Sequence, residues 1–114
     1  MIMPILKIQT NQEIKHQENV LKETSLMLGE LLQKPEKYIM ILLEKSEMLF
    51  AGENSLCLYA ELKSIGLPTE KTNELSEVLC SFFEKHFGVS SDRIYIEFTN
   101  SEKHMLGWNS KTFL

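Results

Sequence analysis

The sequence repeats itself at about half its length. Pro35-Glu36-Lys37-Tyr38-Ile39-Met40-Ile41 and Ser91-Asp92-Arg93-Ile94-Tyr95-Ile96-Glu97 share one plan: acid, base, then a β-branched and aromatic run. The two starts, at residues 35 and 91, lie 56 positions apart in a chain of 114 residues. Each copy follows a stretch with helical spacing of apolar residues, and each of those follows a strand-like segment. A chain built this way is two βαβ units in series. A βαβ crossover makes parallel strands and is almost always right-handed. Two units side by side give an α/β fold, a four-stranded sheet with two helices on one face.

The segments follow from their periodicities. Ile5 to Thr10 reads as the first strand. Ile14, Val20, Leu21, Met27, Leu28, Leu31 and Leu32 keep a helical stripe from about Glu13 to Gln33, and Pro35 stops it. Tyr38 to Glu44 is a nearly continuous apolar run, which predicts a strand buried on both faces. Phe50-Ala51-Gly52-Glu53-Asn54 reads as a turn. Leu56 to Ser64 alternates, with Leu56, Leu58, Ala60 and Leu62 on one face and Cys57, Tyr59, Glu61 and Lys63 on the other. Leu75, Val78, Leu79, Phe82, Phe83 and His86 stripe a second helix, Thr69 to Phe87, closed by Gly88. Arg93 to Thr99 is the last main strand, with Ile94, Ile96 and Phe98 facing the helices. Gly107 to Phe113 is expected to add an edge strand. The far face of the sheet stays uncovered, with Tyr38, Met40, Leu42, Tyr59 and Tyr95 on or near it. An apolar face of that size is seldom left wet, so a closed oligomer is expected to bury it.

Composition narrows the partners. No linker or low-complexity stretch divides residues 1–114, so one domain is expected. The formal net charge is −4, and Arg93 is the only arginine. Such a chain has no electrostatic reason to seek nucleic acid or an anionic membrane. Cys57 and Cys80 are too few and too far apart for a disulfide framework or a zinc site, and read as buried thiols. His16, His86 and His104 are dispersed and read as structural or solvated; no metal and no cofactor is expected. No apolar run spans a bilayer, and the start lacks the features of a signal peptide, so a cytoplasmic location is expected.

Six short segments occur in order: Met3-Pro4-Ile5, Lys34-Pro35-Glu36-Lys37-Tyr38-Ile39, Phe50-Ala51-Gly52, Ser64-Ile65-Gly66, Asp92-Arg93-Ile94-Tyr95-Ile96, and Gly107-Trp108-Asn109-Ser110 through Phe113. Together they resemble the macrophage migration inhibitory factor family of the tautomerase superfamily, across essentially the whole chain. The resemblance implies a homotrimer whose sheets line a central barrel. It also implies an enzyme, a keto–enol tautomerase of phenylpyruvate-type aromatic α-keto acids and dopachrome analogues. Pro4 is then the general base. An α-amino group starts at about 7.7–8.0, and burial or a nearby cation lowers it further, which suits a base. Lys34 and the backbone N–H of Ile65 hold the substrate carboxylate, Tyr95 enters from a neighbouring subunit, and Trp108 and Phe113 close the rim. Position 97 is usually asparagine in animal members; Glu97 replaces an amide donor by an acceptor.

Taken alone, these residues have plainer roles. Pro4 suits the start of an edge strand, Lys34 a helix C-terminus, Ile65 the core, and Trp108 a packing anchor. The animal proteins carry a Cys-x-x-Cys where this chain has Cys57 and Ala60, so no dithiol activity is expected. The start matters most. An acylated proline nitrogen is an amide and no base, and Ile2 is too large for removal of Met1. Met3-Pro4 is the family's usual start, so the expectation is translation from Met3, which frees the Pro4 amine. The competing reading is a cytokine-like or partner-binding homologue with little or no catalysis. In the animal relatives that the chain resembles, receptor engagement leans on an arginine in the N-terminal third; here no arginine precedes Arg93, so the resemblance leaves a host receptor possible but unsupported.

Overall fold

Strand β1, Ile2–Thr10, runs through the middle of a four-stranded sheet and ties its two halves together. The computed structural model describes all residues 1–114. After β1 come helix α1 (Gln17–Leu32), β2 (Met40–Lys45), β3 (Leu58–Ile65), helix α2 (Thr72–Phe87), β4 (Ile94–Ser101) and a hairpin of β5 (Gly107–Trp108) and β6 (Lys111–Thr112). The order across the sheet is β2-β1-β3-β4. The outer pairs are parallel, as βαβ crossovers require, and β1 meets β3 antiparallel. Leu28 of α1 and Leu75, Leu79, Phe83 and Phe87 of α2 pack on Leu6, Ile8, Leu58, Ala60 and Leu62, so both helices cover one face. This is the expected α/β architecture.

The repeat is present with a spacing one residue shorter than the charge pattern suggests. Helix α1 begins at Gln17 and α2 at Thr72, 55 positions on. Both helices end on a left-handed residue, Gln33 (φ 54°) and Gly88 (φ 67°), again 55 apart. A 3-10 turn then follows, Glu36–Tyr38 behind Pro35 and Ser91–Arg93 behind Ser90. The backbone thus matches Pro35 to Ser90, whereas the acid–base pairs Glu36-Lys37 and Asp92-Arg93 align one residue later. Between β1 and β3 the offset is 54, and it carries two buried hydroxyls. Thr10 Oγ1 donates to the Cys57 carbonyl at 2.8 Å, and Ser64 Oγ to the Ile2 carbonyl at 2.9 Å. They close opposite ends of the β1–β3 ladder.

Several boundaries differ from the sequence expectation. Helix α1 starts at Gln17 instead of Glu13, because residues 12 and 13 are engaged elsewhere. Gln12 Nε2 donates to the Phe87 carbonyl at 2.5 Å, and Glu13 pairs with Lys45 at 2.6 Å. Helix α2 is preceded by a 3-10 turn, Thr69–Lys71. β2 is an edge strand, so its apolar run is not buried on both faces: Ile41 and Leu43 are half-buried while Met40 is 59% exposed. β3 begins at Leu58. Leu56 is exposed and Cys57 is fully buried, the reverse of the alternation read from sequence, because Asn11 accepts from the Cys57 N–H at 3.0 Å and draws that residue inward. Cys80 is half-buried. The tail forms its own ribbon and does not join the main sheet. Its turn, Asn109-Ser110, has φ of 52° and 69°, the sign that a two-residue primed turn needs.

The uncovered face is more polar than expected. Register places Met40, Ile5, Lys63 and Thr99 in one row, then Leu42, Lys7, Glu61 and Glu97, then Glu44, Gln9, Tyr59 and Tyr95. Tyr38 lies in the turn before β2, outside this face. Tyr59 donates to Glu97 at 2.9 Å and Thr99 to Glu61 at 3.0 Å. Apart from Ile5 on β1, the apolar side chains lie at the two margins, Met40 and Leu42 on one and Tyr95 with Leu49 and Phe50 on the other. An apolar field is therefore not what makes this face a candidate for association; its edges are.

The one arginine organises the second margin. Arg93 donates to the carbonyls of Leu56, Ser55 and Phe50 at 3.0, 3.1 and 3.2 Å, and to that of Glu53 at 3.5 Å. Its guanidinium stacks 4.9 Å from the Phe50 ring, which packs 4.8 Å from Tyr95. A planar fork with five donors suits this cluster of acceptors.

Three outcomes follow from this geometry. Gln33→Gly should stabilise the protein by about 0.5–1 kcal/mol, and Gly88→Gln destabilise it by about 1 kcal/mol, in urea unfolding; open space around Gly88 leaves backbone strain as the only penalty. Arg93→Ala should cost about 2–4 kcal/mol and expose residues 50–56 to limited proteolysis, and Arg93→Lys should recover less than half, since one ammonium cannot span four carbonyls. Burial, helped by the bond to Glu97 and by repulsion from Glu97 and Glu61, pushes the Tyr59 phenol from 10.0 up to about 12. The folded state then holds a proton that the unfolded chain loses near pH 10. Stability falls as pH rises from about 10 to 12, and Glu97→Gln should flatten that fall in pH-dependent unfolding.

Candidate active site

Pro4 stands in an unusual place for a proline. β1 is an interior strand, where a residue without an N–H breaks the ladder. The chain accommodates it with a bulge. Pairing to β3 shifts between Ile2 and Ile5, and Met3 takes a positive φ of 52°. Pairing to β2 begins only at Ile5, opposite Met40. β1 as a whole is an interior strand rather than an edge, but Pro4 itself lies before its pairing with β2 begins and within the shift of its pairing with β3, where a missing N–H is tolerated. Bulges of this kind concentrate beside active sites, where they re-aim a residue.

The Pro4 side chain is fully buried in the monomer and forms the floor of a cavity of about 180 Å³. Met3, Ile5 and Met40 lie beside it. The turn after α1 supplies Lys37, Tyr38 and Ile39, and the C-terminal ribbon supplies Leu106, Gly107, Trp108 and Phe113. The ribbon reaches this place because the Phe113 N–H donates to the Lys103 carbonyl at 3.0 Å, folding the tail back. Trp108 and Phe113 stack with centroids 6.3 Å apart and planes 13° from parallel. The wall is therefore mostly apolar and aromatic, with one charged side chain, that of Lys37. Lining of this kind, apolar with few polar groups, typifies sites for small organic ligands.

Of the residues singled out from sequence, Pro4, Trp108 and Phe113 meet in this cavity. Lys34 does not line it. Its N–H closes the end of α1 on the Gly29 carbonyl at 3.0 Å, and its own carbonyl comes so near Gly29 that a Cβ there would sit 3.0 Å from it. Ile65 is buried and pairs with Ile2, so residues 1–3 run alongside the backbone expected to bind a carboxylate. Met1 packs close to Gly66. Tyr95 and Glu97 lie on β4, two strands away. Tyr95 is 67% exposed and Glu97 accepts from Tyr59. Sequence reasoning missed Lys37, Tyr38 and Leu106 as wall residues. The repeated turn at 35–38 was visible, but which of its side chains turns toward β1 depends on the 3-10 geometry.

With Met3 joined to it, the Pro4 nitrogen is a tertiary amide with no basic lone pair. A chain beginning at Pro4 would place a secondary amine at the same point, enclosed by apolar walls.

A second hollow matches the first through the repeat. It is about 380 Å³ and lined by Met48, Leu49, Phe50, Ala51, Leu58, Tyr59 and Tyr95. Leu58 corresponds to Pro4, Tyr59 to Ile5 and Tyr95 to Met40. The 48–51 segment flanks this hollow as the C-terminal ribbon flanks the other.

Comparison with known proteins agrees with this architecture. The Prochlorococcus marinus macrophage migration inhibitory factor homologue superposes with a TM-score of 0.87 at 40% identity, over 96% of this chain and 98% of that one. The Entamoeba histolytica macrophage migration inhibitory factor-like protein gives a TM-score of 0.88 at 26% identity, over 97% and 99% of the two chains. In sequence, the Trichinella spiralis homolog is 30% identical over 114 residues, 97% of this chain and 100% of the relative. Residues 3–114 match the family profile Macrophage migration inhibitory factor (MIF). The chain belongs to the macrophage migration inhibitory factor family.

Proposed function

We propose that this protein is a keto–enol tautomerase of aromatic α-keto acids of the phenylpyruvate type, with the Pro4 amine as base. The observation that carries this reading is a proline at a bulge of an interior strand, forming the floor of an apolar cavity. The neutral amine takes a proton from the carbon beside the keto group. The electron pair moves to the oxygen as enolate, and the resulting ammonium returns the proton to that oxygen. The reverse sequence restores the ketone, so atoms and charge balance with no co-reactant. Trp108, Phe113 and Tyr38 accept the aromatic body. The amine exists only in a polypeptide that begins at Pro4.

The working form is a homotrimer. The open sheet face supports this: its centre is polar and its margins apolar, which suits edge-to-edge closure around a wet channel. Met40 and Leu42 form one margin, and Leu49, Phe50 and Tyr95 the other. A cyclic assembly joins unlike margins and leaves none exposed. In such a ring Tyr95 of one copy can approach the Pro4 cavity of the next.

The test compares a protein that begins at Pro4 with one that retains Met1 to Met3, each verified by intact mass. Enol–keto absorbance kinetics on phenylpyruvate should give the first a kcat/KM about 100-fold or more above the second. Equal activity would exclude Pro4 as base, and inactivity of both would exclude the enzyme. In light scattering the active protein should run near ~40 kDa, three copies of the 13.2 kDa chain.

A further inference from the structure

We propose that Met1, Ile2 and Met3 form a docked latch and a processing site: in place they keep the protein latent, and their removal by aminopeptidases releases the Pro4 amine. The latch is read from the packing alone. What its removal sets free rests on the tautomerase reading.

A chain end is ordinarily loose unless something ties it down. Here each of the first three residues is tied. Met1 packs against the hydrophobic core and lies close to the backbone of Gly66. Ile2 pairs with Ile65 of β3, and its carbonyl accepts from Ser64 Oγ at 2.9 Å. Ser64 is fully buried, so lifting the segment leaves its hydroxyl only the longer bond to the Ile65 carbonyl, at 3.3 Å. Met3 lines the Pro4 cavity and holds φ at 52°. A residue with a side chain keeps such a backbone only where its surroundings fix it. Ile2 is held on one side of it by β3, and Ile5 on the other by β2 and β3.

The repeat explains why a place for this segment exists. Ser64 corresponds to Thr10, which donates to the carbonyl of Cys57, the residue just before β3. Ahead of β3 the slot is filled by continuous chain, and Cys57 is fully buried in it. Ahead of Pro4 the matching slot is filled by residues 1–3. Two units on one plan thus hold a lead segment at both strands. At β1, hydrolysis can remove that lead without cutting the rest of the fold.

Lifting the latch does not make a base, because the Met3–Pro4 bond keeps the nitrogen an amide. Each step is a hydrolysis: water adds across one peptide bond, and one amino acid leaves with the new carboxylate. Ile2 is too large for an aminopeptidase confined to Met before small residues, so one of broad specificity takes Met1 and Ile2. Met3 then stands directly before proline, and a methionine aminopeptidase cuts that bond. The Pro4 nitrogen leaves as a secondary amine, with its proton from water. A peptidase of this kind needs the end of the chain free of the sheet, so trimming follows the population in which the latch is lifted.

The experiment uses the full chain, Met1 to Leu114, and a free peptide of residues 1–10. Each is incubated with a broad-specificity aminopeptidase and a methionine aminopeptidase and followed by intact mass. The folded chain should lose residues 1–3 about 100-fold or more slowly than the peptide. Ser64→Ala should speed that loss about tenfold. Thr10→Ala loses the matching bond at the far end of the seam and controls for general loosening; its rate should stay within about twofold of wild type. Trimming of the folded chain at the rate of the peptide overturns the latch, as does a Ser64→Ala rate no faster than that of Thr10→Ala. Enol–keto kinetics on the same samples separate the two ideas. Slow trimming gated by Ser64 that ends in an inactive Pro4 protein defeats the tautomerase reading alone. Activity that emerges at the rate of the free peptide defeats the latch alone.

Discussion

The antiparallel pairing of β1 with β3 is the contact on which the molecule depends. Each βαβ unit is a two-stranded parallel ribbon with one helix, too small to enclose a core of its own. Joined along β1 and β3, the units make one sheet whose covered face carries Leu6, Ile8, Leu58, Ala60 and Leu62 beneath both helices. The seam is closed by side-chain hydroxyls, Thr10 at one end and Ser64 at the other. Each is fully buried and bonded to a carbonyl of the opposite strand segment. Losing either bond would leave a polar group without water, which costs more than the bond itself is worth.

The Pro4 cavity is a by-product of that seam. The bulge at Met3 shifts the pairing of β1 with β3, and β2 starts only at Met40, opposite Ile5, so the Pro4 end of β1 has no β2 residue beside it. The turn after α1 and the C-terminal ribbon then form two walls over the gap. None of these pieces is long. Their positions come from short local devices: a proline-led 3-10 turn, a two-residue turn with two left-handed residues, and one backbone bond from Phe113 to Lys103. The chemistry of the wall is decided by which residues these devices happen to present.

Periodicity carried most of the fold. The two helical stripes, the alternation in β3 and the repeat itself sufficed for the layer and its topology. What escaped were features set by tertiary bonds. The start of α1 moved because Gln12 and Glu13 bond to distant residues, and Cys57 turned inward because Asn11 and Thr10 hold both of its backbone groups. The apolar run at β2 looked buried because an edge strand and a central strand share a composition. The site was legible in part. Pro4, Trp108 and Phe113 follow from ordered resemblance, but Lys37 sits three residues from the lysine that the resemblance implicates. Only the geometry of the turn separates the two.

The paired hollows bear on how a protein of this plan can change over time. Duplicating a half-chain copies strands, caps, turns and side chains, and substitution can put any residue at Leu58, proline included. It cannot copy a chain end. β3 is entered from Cys57 and left toward Gly66, so whatever stands at position 58 keeps its nitrogen inside a peptide bond. Chemistry that draws on a backbone amine is confined to one hollow of each pair. The other, freed from that duty, holds Leu58, Tyr59 and an exposed Tyr95, and is open to selection for contact with neighbouring molecules alone.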